Sequence, residues 1–224
     1  MSIASNIQEF NKTLPPAAKL IAVSKFQSTN SIMQAYEAGQ RHFGENRAQE
    51  MSAKHKLLPR DIEWHFIGHL QRNKIKYILP FVSMIHSLDS PALLEEINKA
   101  AAKTGRIIPC LLQIHIAREE SKFGFAPDEL RQFMREGSWR ALGHVQLQGL
   151  MGMASFTENM EQVRQEFQLL KQLFDEIRSS YFNQDESFRE LSMGMTGDYQ
   201  IALQEGSTMV RIGTALFGSR KTGQ

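Results

Sequence analysis

The first residue of this sequence that could do chemistry is a lysine directly after a short apolar run. Lys25 follows residues 20–24, a segment whose composition is typical of a buried strand. Burial against apolar walls lowers the pKa of a lysine because it disfavours the charged form. The neutral amine can then attack an aldehyde and form an imine. The position alone also allows the alternative that Lys25 is a solvated lysine opening a loop.

Two glycine-containing turns later in the chain have the composition of phosphate-binding loops. Ser192, Gly194 and Met195 follow one short apolar run, and Gly213 and Thr214 follow another. Glycine lets the backbone approach a phosphate closely, and N–H groups at the start of a following helix can donate to its oxygens. Ordinary tight turns have the same composition, so one such turn is weak evidence and the pair is stronger.

Two further kinds of polar residue are candidates for a site. Arg211 lies inside the last apolar run, where burial is costly without a partner, so it is either a ligand-binding group or one side of a structural ion pair. His65 and His69 are four residues apart, but Gly68 interrupts any helix between them and no set of carboxylates follows. We therefore expect no metal site. The sequence also has no Walker A loop and no dinucleotide-binding glycine motif.

Short apolar runs alternate with longer amphipathic segments, and this alternation must position the residues above. The runs predict strands at 20–24, 41–43, 63–67, 83–87, 108–116, 145–151, 189–192 and 209–212. Helices are expected between them, most clearly at 158–177 and from Ser90-Pro91 onward, with an extra helix near 3–12. This pattern indicates a single α/β domain over residues 1–224, a (β/α)8 TIM barrel, with an open doubly wound sheet as the alternative. A barrel places chemistry at the carboxyl ends of its strands and phosphate after strands seven and eight.

Composition and charge exclude several classes of protein. Lys and Arg number 26 and Asp and Glu number 24, a net charge of +2, which gives no sign of nucleic-acid binding. Residues 1–10 lack a basic start followed by an apolar run, so we expect no signal peptide. No segment approaches the roughly 20 apolar residues of a membrane helix. The one cysteine, Cys110, is expected in the core and cannot form a disulfide within the chain, which fits a cytoplasmic protein.

Taken together, several segments resemble the pyridoxal phosphate homeostasis protein family, which is related to the N-terminal barrel domain of alanine racemase. The resemblance extends over about residues 20–218 and is specific in combination, although each piece alone is common. The matching segments are AVSK at 22–25, GQRHFGEN at 39–46, WHFIG at 64–68, ESKFG at 120–124, GLM at 149–151, LSMGM at 191–195 and GSTMVRIGT at 206–214.

The resemblance implies an alanine racemase-like barrel that holds pyridoxal 5′-phosphate (PLP) as a Schiff base on Lys25. The other cofactor-binding residues that it implies are Ser192, Gly213 and Thr214 at the phosphate, Gly194 and Met195 with their backbone nearby, Arg211 at the pyridine nitrogen and Asn46 beside the ring. The sequence departs from the family at Arg47, where tyrosine is frequent, and at His115, where asparagine is frequent. Both departures put in doubt the detailed surface beside the cofactor.

Members of the family bind PLP without established turnover and are thought to buffer or deliver it. We therefore expect a monomeric PLP carrier acting in PLP homeostasis and in amino-acid and keto-acid balance, with PLP-dependent apoenzymes as candidate recipients. The alternatives are a weak PLP-dependent racemase or lyase and a phosphosugar barrel enzyme without PLP. An arginine at the pyridine nitrogen makes the ring a weaker electron sink, which does not exclude racemisation because alanine racemases share this arginine. Alanine racemases also continue into a domain that supplies a second acid/base group, which we expect to be absent here, leaving an open site.

Overall fold

The computed structural model describes residues 2–119 and 123–218, in which eight parallel strands close into a barrel in chain order. The strands are β1 Lys19–Val23, β2 His42–Glu45, β3 Glu63–Phe66, β4 Met84–Leu88, β5 Ile108–Ile114, β6 Val145–Gly152, β7 Glu190–Ser192 and β8 Met209–Ile212. Closure is made by β1 and β8, where Ile21 pairs with Arg211. The barrel prediction is confirmed and the open sheet is wrong. The assignment of all 224 residues to one domain stays a prediction.

Helices connect the strands on the outside of the barrel. They are α1 Ile3–Thr13, α2 Thr29–Glu37, α3 Ala48–Leu57, α4 Ile75–Ile78, α5 Pro91–Ala102, α6 Pro127–Glu136, α7 Met160–Tyr181, α8 Tyr199–Gln204 and α9 Thr214–Phe217. Two short 3-10 turns lie at Arg72–Lys74 and Ser138–Ala141. The predicted helix ahead of the first strand is present as α1. The start of α5 is also as predicted: Ser90 accepts from the Leu93 N–H, and Pro91 occupies the first turn.

All eight predicted strands are present. Two of their boundaries differ from the prediction by two residues, for local reasons, and the others agree to within one residue. The second strand runs on to Glu45 because Gly44 pairs with Val23 on one side and with His65 on the other. The fifth ends at Ile114 rather than at residue 116, because the His115 N–H donates to the Phe125 carbonyl outside the barrel sheet. The long helix α7 begins at Met160, capped by Asn159, and continues one turn past the predicted end.

Two apolar clusters surround and partly fill the barrel. The larger cluster lies between the strands and the helices and includes the buried Cys110, as predicted. The smaller one consists of Ile21, Met84, Leu111, Met151 and Met209. Buried polar side chains also lie on the strands, among them His65, His86, Ser192 and Arg211, which are described with the site below. In the part of the chain that the structure describes, no helix combines the length and the apolar character needed to cross a membrane.

Candidate functional site

A cavity of about 400 Å³ opens at the carboxyl ends of the strands, where barrels carry their ligand sites. Its wall is built from the residues that follow β1, β2, β3, β6 and β7 and from the end of β8. The lining includes Val23, Ile67, Met153 and Val163 on its apolar side. A cavity of this size, apolar with a few polar groups, suits one small organic molecule.

Most of the predicted site residues come together in this cavity. The lining contains six of them, namely Lys25, Asn46, Met195, Arg211, Gly213 and Thr214. Gly194 lies behind the wall with φ +95°, and a Cβ there would come within 2.6 Å of the Ala202 Cβ. Ser192 is fully buried beneath the cavity. The structure therefore places Gly194 as a turn residue and Ser192 as a support rather than as wall residues.

Arg211 reaches the cavity from the third position of β8 and is almost completely buried. Its Nη1 donates to Ser192 Oγ at 2.6 Å and its Nη2 donates to the Gly152 carbonyl at 2.9 Å. Burial lowers the pKa of Arg211 to about 10, and the charge of Asp198 opposes that shift. Arg211 thus remains a cation at neutral pH, held by hydrogen bonds in a fixed direction at the floor of the cavity.

The turn after β7 binds an anionic oxygen of its own chain. The Met195 N–H donates to Asp198 Oδ1, and the Asp198 N–H returns a bond to the Met195 carbonyl at 3.1 Å. Both residues line the cavity. The Asp198 carboxylate therefore marks one place in the wall where a backbone N–H donates to an anion, and it places a negative charge beside any phosphate bound there.

The loop that carries Lys25 is anchored by a buried ionic network that was not predicted from the sequence. Lys54 Nζ donates to the Ser24 carbonyl at 2.8 Å, to Glu45 Oε1 at 2.7 Å and to Glu50 Oε1 at 2.7 Å. Ser24 Oγ also donates to Glu45 Oε1 at 2.6 Å. Burial raises the pKa of Glu45, and Lys54 opposes the shift. These bonds fix the residue that precedes Lys25.

The residue that follows Lys25 is fixed by the same network. The Phe26 N–H donates to Glu50 Oε1 at 2.6 Å. Phe26 has φ 64°, a left-handed conformation that costs a non-glycine residue about 1–3 kcal/mol. Glu50 and Lys54 are four residues apart on α3, a spacing that places them on one helix face and could have indicated the pair from the sequence.

A second unforeseen feature is a row of histidines inside the barrel. His86 Nδ1 lies 3.0 Å from Ser192 Oγ, and His86 Nε2 lies 2.9 Å from His65 Nδ1. His65 Nε2 lies 3.2 Å from His42 Nδ1. His69, four residues after His65, instead pairs with Asp89 on the surface. His42, His65 and His86 lie within the predicted strands at 41–43, 63–67 and 83–87, and no local spacing in the sequence connects them.

The two residues at which the sequence departs from the family, Arg47 and His115, have defined surroundings. The guanidinium of Arg47 lies 4.9 Å from the centre of the Phe26 ring, and the two residues follow Asn46 and Lys25 of the cavity lining. His115 Nε2 lies 2.9 Å from the Glu119 carbonyl. Residues 120–122 of the ESKFG segment lie outside the described residues.

His42, Glu63 and His65 each offer a ligand atom within 4.8 Å of the others. The prediction of no metal site stays a prediction.

Comparison with known proteins gives consistent matches over nearly the whole chain. The family model "Alanine racemase, N-terminal domain" matches residues 1–221. A curated protein of Aquifex aeolicus named pyridoxal phosphate homeostasis protein is 41% identical over 205 residues, which are 91% of this chain and 88% of that protein. The chain belongs to the pyridoxal phosphate homeostasis protein family. The resemblance found in the sequence is thereby confirmed.

Solved structures support the family assignment and the fold. PipY of Synechococcus elongatus, solved with PLP bound, has a TM-score of 0.87 and 37% identity, with 97% of this chain and all of that chain covered. The same protein solved without PLP has a TM-score of 0.91. Alanine racemase from E. faecalis has a TM-score of 0.74 at 15% identity, and the match covers 99% of this chain and 59% of the racemase. That last likeness concerns the fold alone.

Proposed function

We propose that this protein binds PLP in the cavity, forms a Schiff base with it through Lys25, and acts in PLP homeostasis without a dedicated reaction. The observation that carries the proposal is that Lys25 and the buried cation Arg211 line one cavity of about 400 Å³ at the carboxyl end of the barrel. The family membership and the PLP found in PipY support the same ligand.

The residues present fit a small phosphorylated aldehyde. Lys25 supplies the amine, and the apolar side of the cavity suits a flat ring. At the other end, Gly213 and Thr214 precede and open α9, whose first N–H groups have no partner within the helix. Together with the Met195 N–H they supply backbone donors for a phosphate. We propose that Asn46 contacts the ring, that Gly194 shapes the turn, and that Ser192 acts by holding Arg211.

The same lining favours a carrier over a racemase or lyase. Bound PLP supplies an electron sink for carbanion chemistry, and a cationic arginine at its ring nitrogen weakens that sink. Alanine racemases share this arginine, so the second acid/base group decides more. Two-base racemisation needs a second acid/base group facing the lysine. Among the described residues, the ionisable side chains that line the cavity are Lys25, Asp198 and Arg211. Asp198 is bound to the Met195 backbone, which leaves no well-placed proton donor opposite Lys25 in that part of the chain.

An absorption spectrum of the purified protein with PLP, before and after borohydride, tests the binding proposal. We expect a visible band that borohydride abolishes, and loss of that band in Lys25→Ala with some PLP still retained at the phosphate-binding backbone. Lys74→Ala is the control, because Lys74 lines a neighbouring cavity beside Asn46. A colourless wild-type protein, or a reducible adduct that persists in Lys25→Ala, would overturn the assignment and would favour a barrel enzyme for phosphorylated sugars or another lysine.

The remaining parts of the proposal concern what the protein does with PLP. We propose transfer to PLP-dependent apoenzymes, a monomeric state and a cytoplasmic location, the last supported by the single buried Cys110. A turnover assay over a panel of amino acids distinguishes the carrier from an enzyme. We expect no turnover above that of free PLP, and robust turnover that Lys25→Ala abolishes would contradict the carrier.

A further inference from the structure

Five side chains on the barrel strands form one continuous chain of hydrogen bonds. It starts at Arg211 in the cavity, passes through Ser192, His86 and His65, and ends at His42. His42 is the first residue of β2 and is partly exposed, whereas His65 and His86 are buried. The chain therefore links the ligand cavity with the opposite, amino-terminal end of the barrel.

The chemistry of the groups makes the chain directional. An arginine has only donors, so Arg211 donates to Ser192, and the contact between Ser192 and His86 can be donated from either side. A neutral imidazole has one N–H and one acceptor nitrogen. If a ring donates on one side, it must accept on the other. The direction of donation at one contact therefore fixes the direction at all three contacts between Ser192 and His42. The chain has two states, donating toward the cavity or away from it.

The buried histidines of the chain are neutral near pH 7. Burial lowers the pKa of His65 to about 3 and, assisted by the charge of Arg211, lowers the pKa of His86 well below its usual value. Lys19 at the start of β1 contributes to both shifts. Neither ring therefore carries a charge near pH 7, and each has one of two tautomers.

The surroundings of His42 select between the two states. His42 Nδ1 lies 3.4 Å from Glu63 Oε2, and a carboxylate at this distance favours a proton on that nitrogen. Lys19 and Glu190 also face His42 and are paired with each other at 2.7 Å. Burial lowers the pKa of His42, with Glu63 opposing and Lys19 assisting. His42 is thus neutral near pH 7, with its proton held on Nδ1.

We propose that His86 and His65 are positioning residues for Arg211 through Ser192, and that His42 with Glu63 sets the direction of their hydrogen bonds so that the chain donates toward the cavity. Ser192 Oγ then accepts from both Arg211 and His86, and its own hydrogen is left for another acceptor. Reversal would make Ser192 a donor to His86 and a stronger acceptor for Arg211, since chained hydrogen bonds polarise one another. The effect on bound PLP rests on the proposed function, whereas the chain itself does not.

Histidine side-chain ¹⁵N NMR at pH 7 tests the direction without any ligand. The PLP-free protein is measured with a chelator, so that the His42–Glu63–His65 cluster holds no metal, and signals are assigned with His65→Gln and His86→Gln. We expect the Nδ1–H tautomer for both His65 and His86 in the wild type. His42→Ala should convert both rings to Nε2–H, although His86 does not contact residue 42. His42→Asn should keep the wild-type tautomers, because its amide can donate from the place of Nδ1.

Two results would overturn the proposal: Nε2–H tautomers in the wild type, or unchanged tautomers in His42→Ala. His69→Ala removes a histidine paired with a carboxylate outside the chain and should change neither ring. In the PLP-loaded protein, His42→Ala should shift the absorption band or its pH dependence, and His69→Ala should not. A wild type that forms no PLP band refutes the proposed function but leaves the NMR result decisive for the chain.

Discussion

Replacement of Lys54 by methionine removes the cation that holds the loop around Lys25. The Lys54 side chain is 8% exposed, and its partners Glu45 and Glu50 are 0% and 22% exposed. Removal of one partner of a buried ion pair costs about 3–5 kcal/mol, because the remaining charge stays buried without compensation. We expect Lys54→Met to lose about 3 kcal/mol of unfolding free energy. This value is at the lower end of that range because Glu50 is partly hydrated. The measurement is urea unfolding followed by far-UV circular dichroism.

Lys171→Met is the matched control for that variant. Lys171 also pairs with a carboxylate four residues away, Asp175, but both side chains are substantially exposed, and such pairs contribute about 0.5 kcal/mol or less. Lys54→Met should also form the covalent PLP adduct more slowly than Lys171→Met, because the backbone on both sides of Lys25 loses its anchor. Equal stability losses in the two variants, or equal rates of adduct formation, would refute the role given to Lys54.

Three further predictions follow from the site and the barrel interior. Gly194→Ala should destabilise the protein by about 1–3 kcal/mol in urea unfolding, because Gly194 has a positive φ and an added Cβ would come too close to Ala202. Gly197→Ala is the control and should be neutral, since a Cβ there has nothing within 4 Å. Equal effects of the two substitutions would contradict this prediction. Asp198→Asn in the Lys25→Ala background should tighten non-covalent PLP binding about fivefold, because about 1 kcal/mol of repulsion between the carboxylate and the phosphate is removed. Equilibrium dialysis measures this change, and weaker binding would count against a phosphate at Met195. Between pH 6.5 and about 3 the unfolded chain protonates His65 and the folded chain does not. His65 should therefore contribute a fall in unfolding free energy of about 1.4 kcal/mol per pH unit on acidification, in addition to the contribution of the buried His86. His65→Gln should reduce the slope by that amount, and an unchanged slope would show that His65 is accessible to protons in the folded state.

The sequence was sufficient for the architecture and for the cavity wall because both depend on local patterns. Each apolar run forms one strand, and residues that follow consecutive parallel strands meet at one end of a barrel. Lys25, Arg211 and Gly213 could therefore be placed together from their positions in the sequence. The end of β5 was misplaced since the bond from His115 to Phe125 joins a strand end to a later loop, and no local signal marks such a bond.

The supports of the site could not be predicted in the same way. Lys54 reaches Ser24, 30 residues earlier in the chain, and His86 reaches Ser192, 106 residues later. These contacts are set by the register of the closed barrel and by which face of each strand points inward. Period-two alternation along β3 and β4 could have indicated inward-facing histidines, but it does not specify which ring nitrogens meet.

Peptide mapping of the borohydride-reduced protein tests the central claim most directly. After incubation with PLP and reduction, mass spectrometry of a proteolytic digest should find the pyridoxyl group on the peptide that contains Lys25, at close to one per chain. A modification located instead on Lys74 or another lysine, or the absence of any stable adduct, would contradict the assignment of Lys25 as the residue that holds PLP.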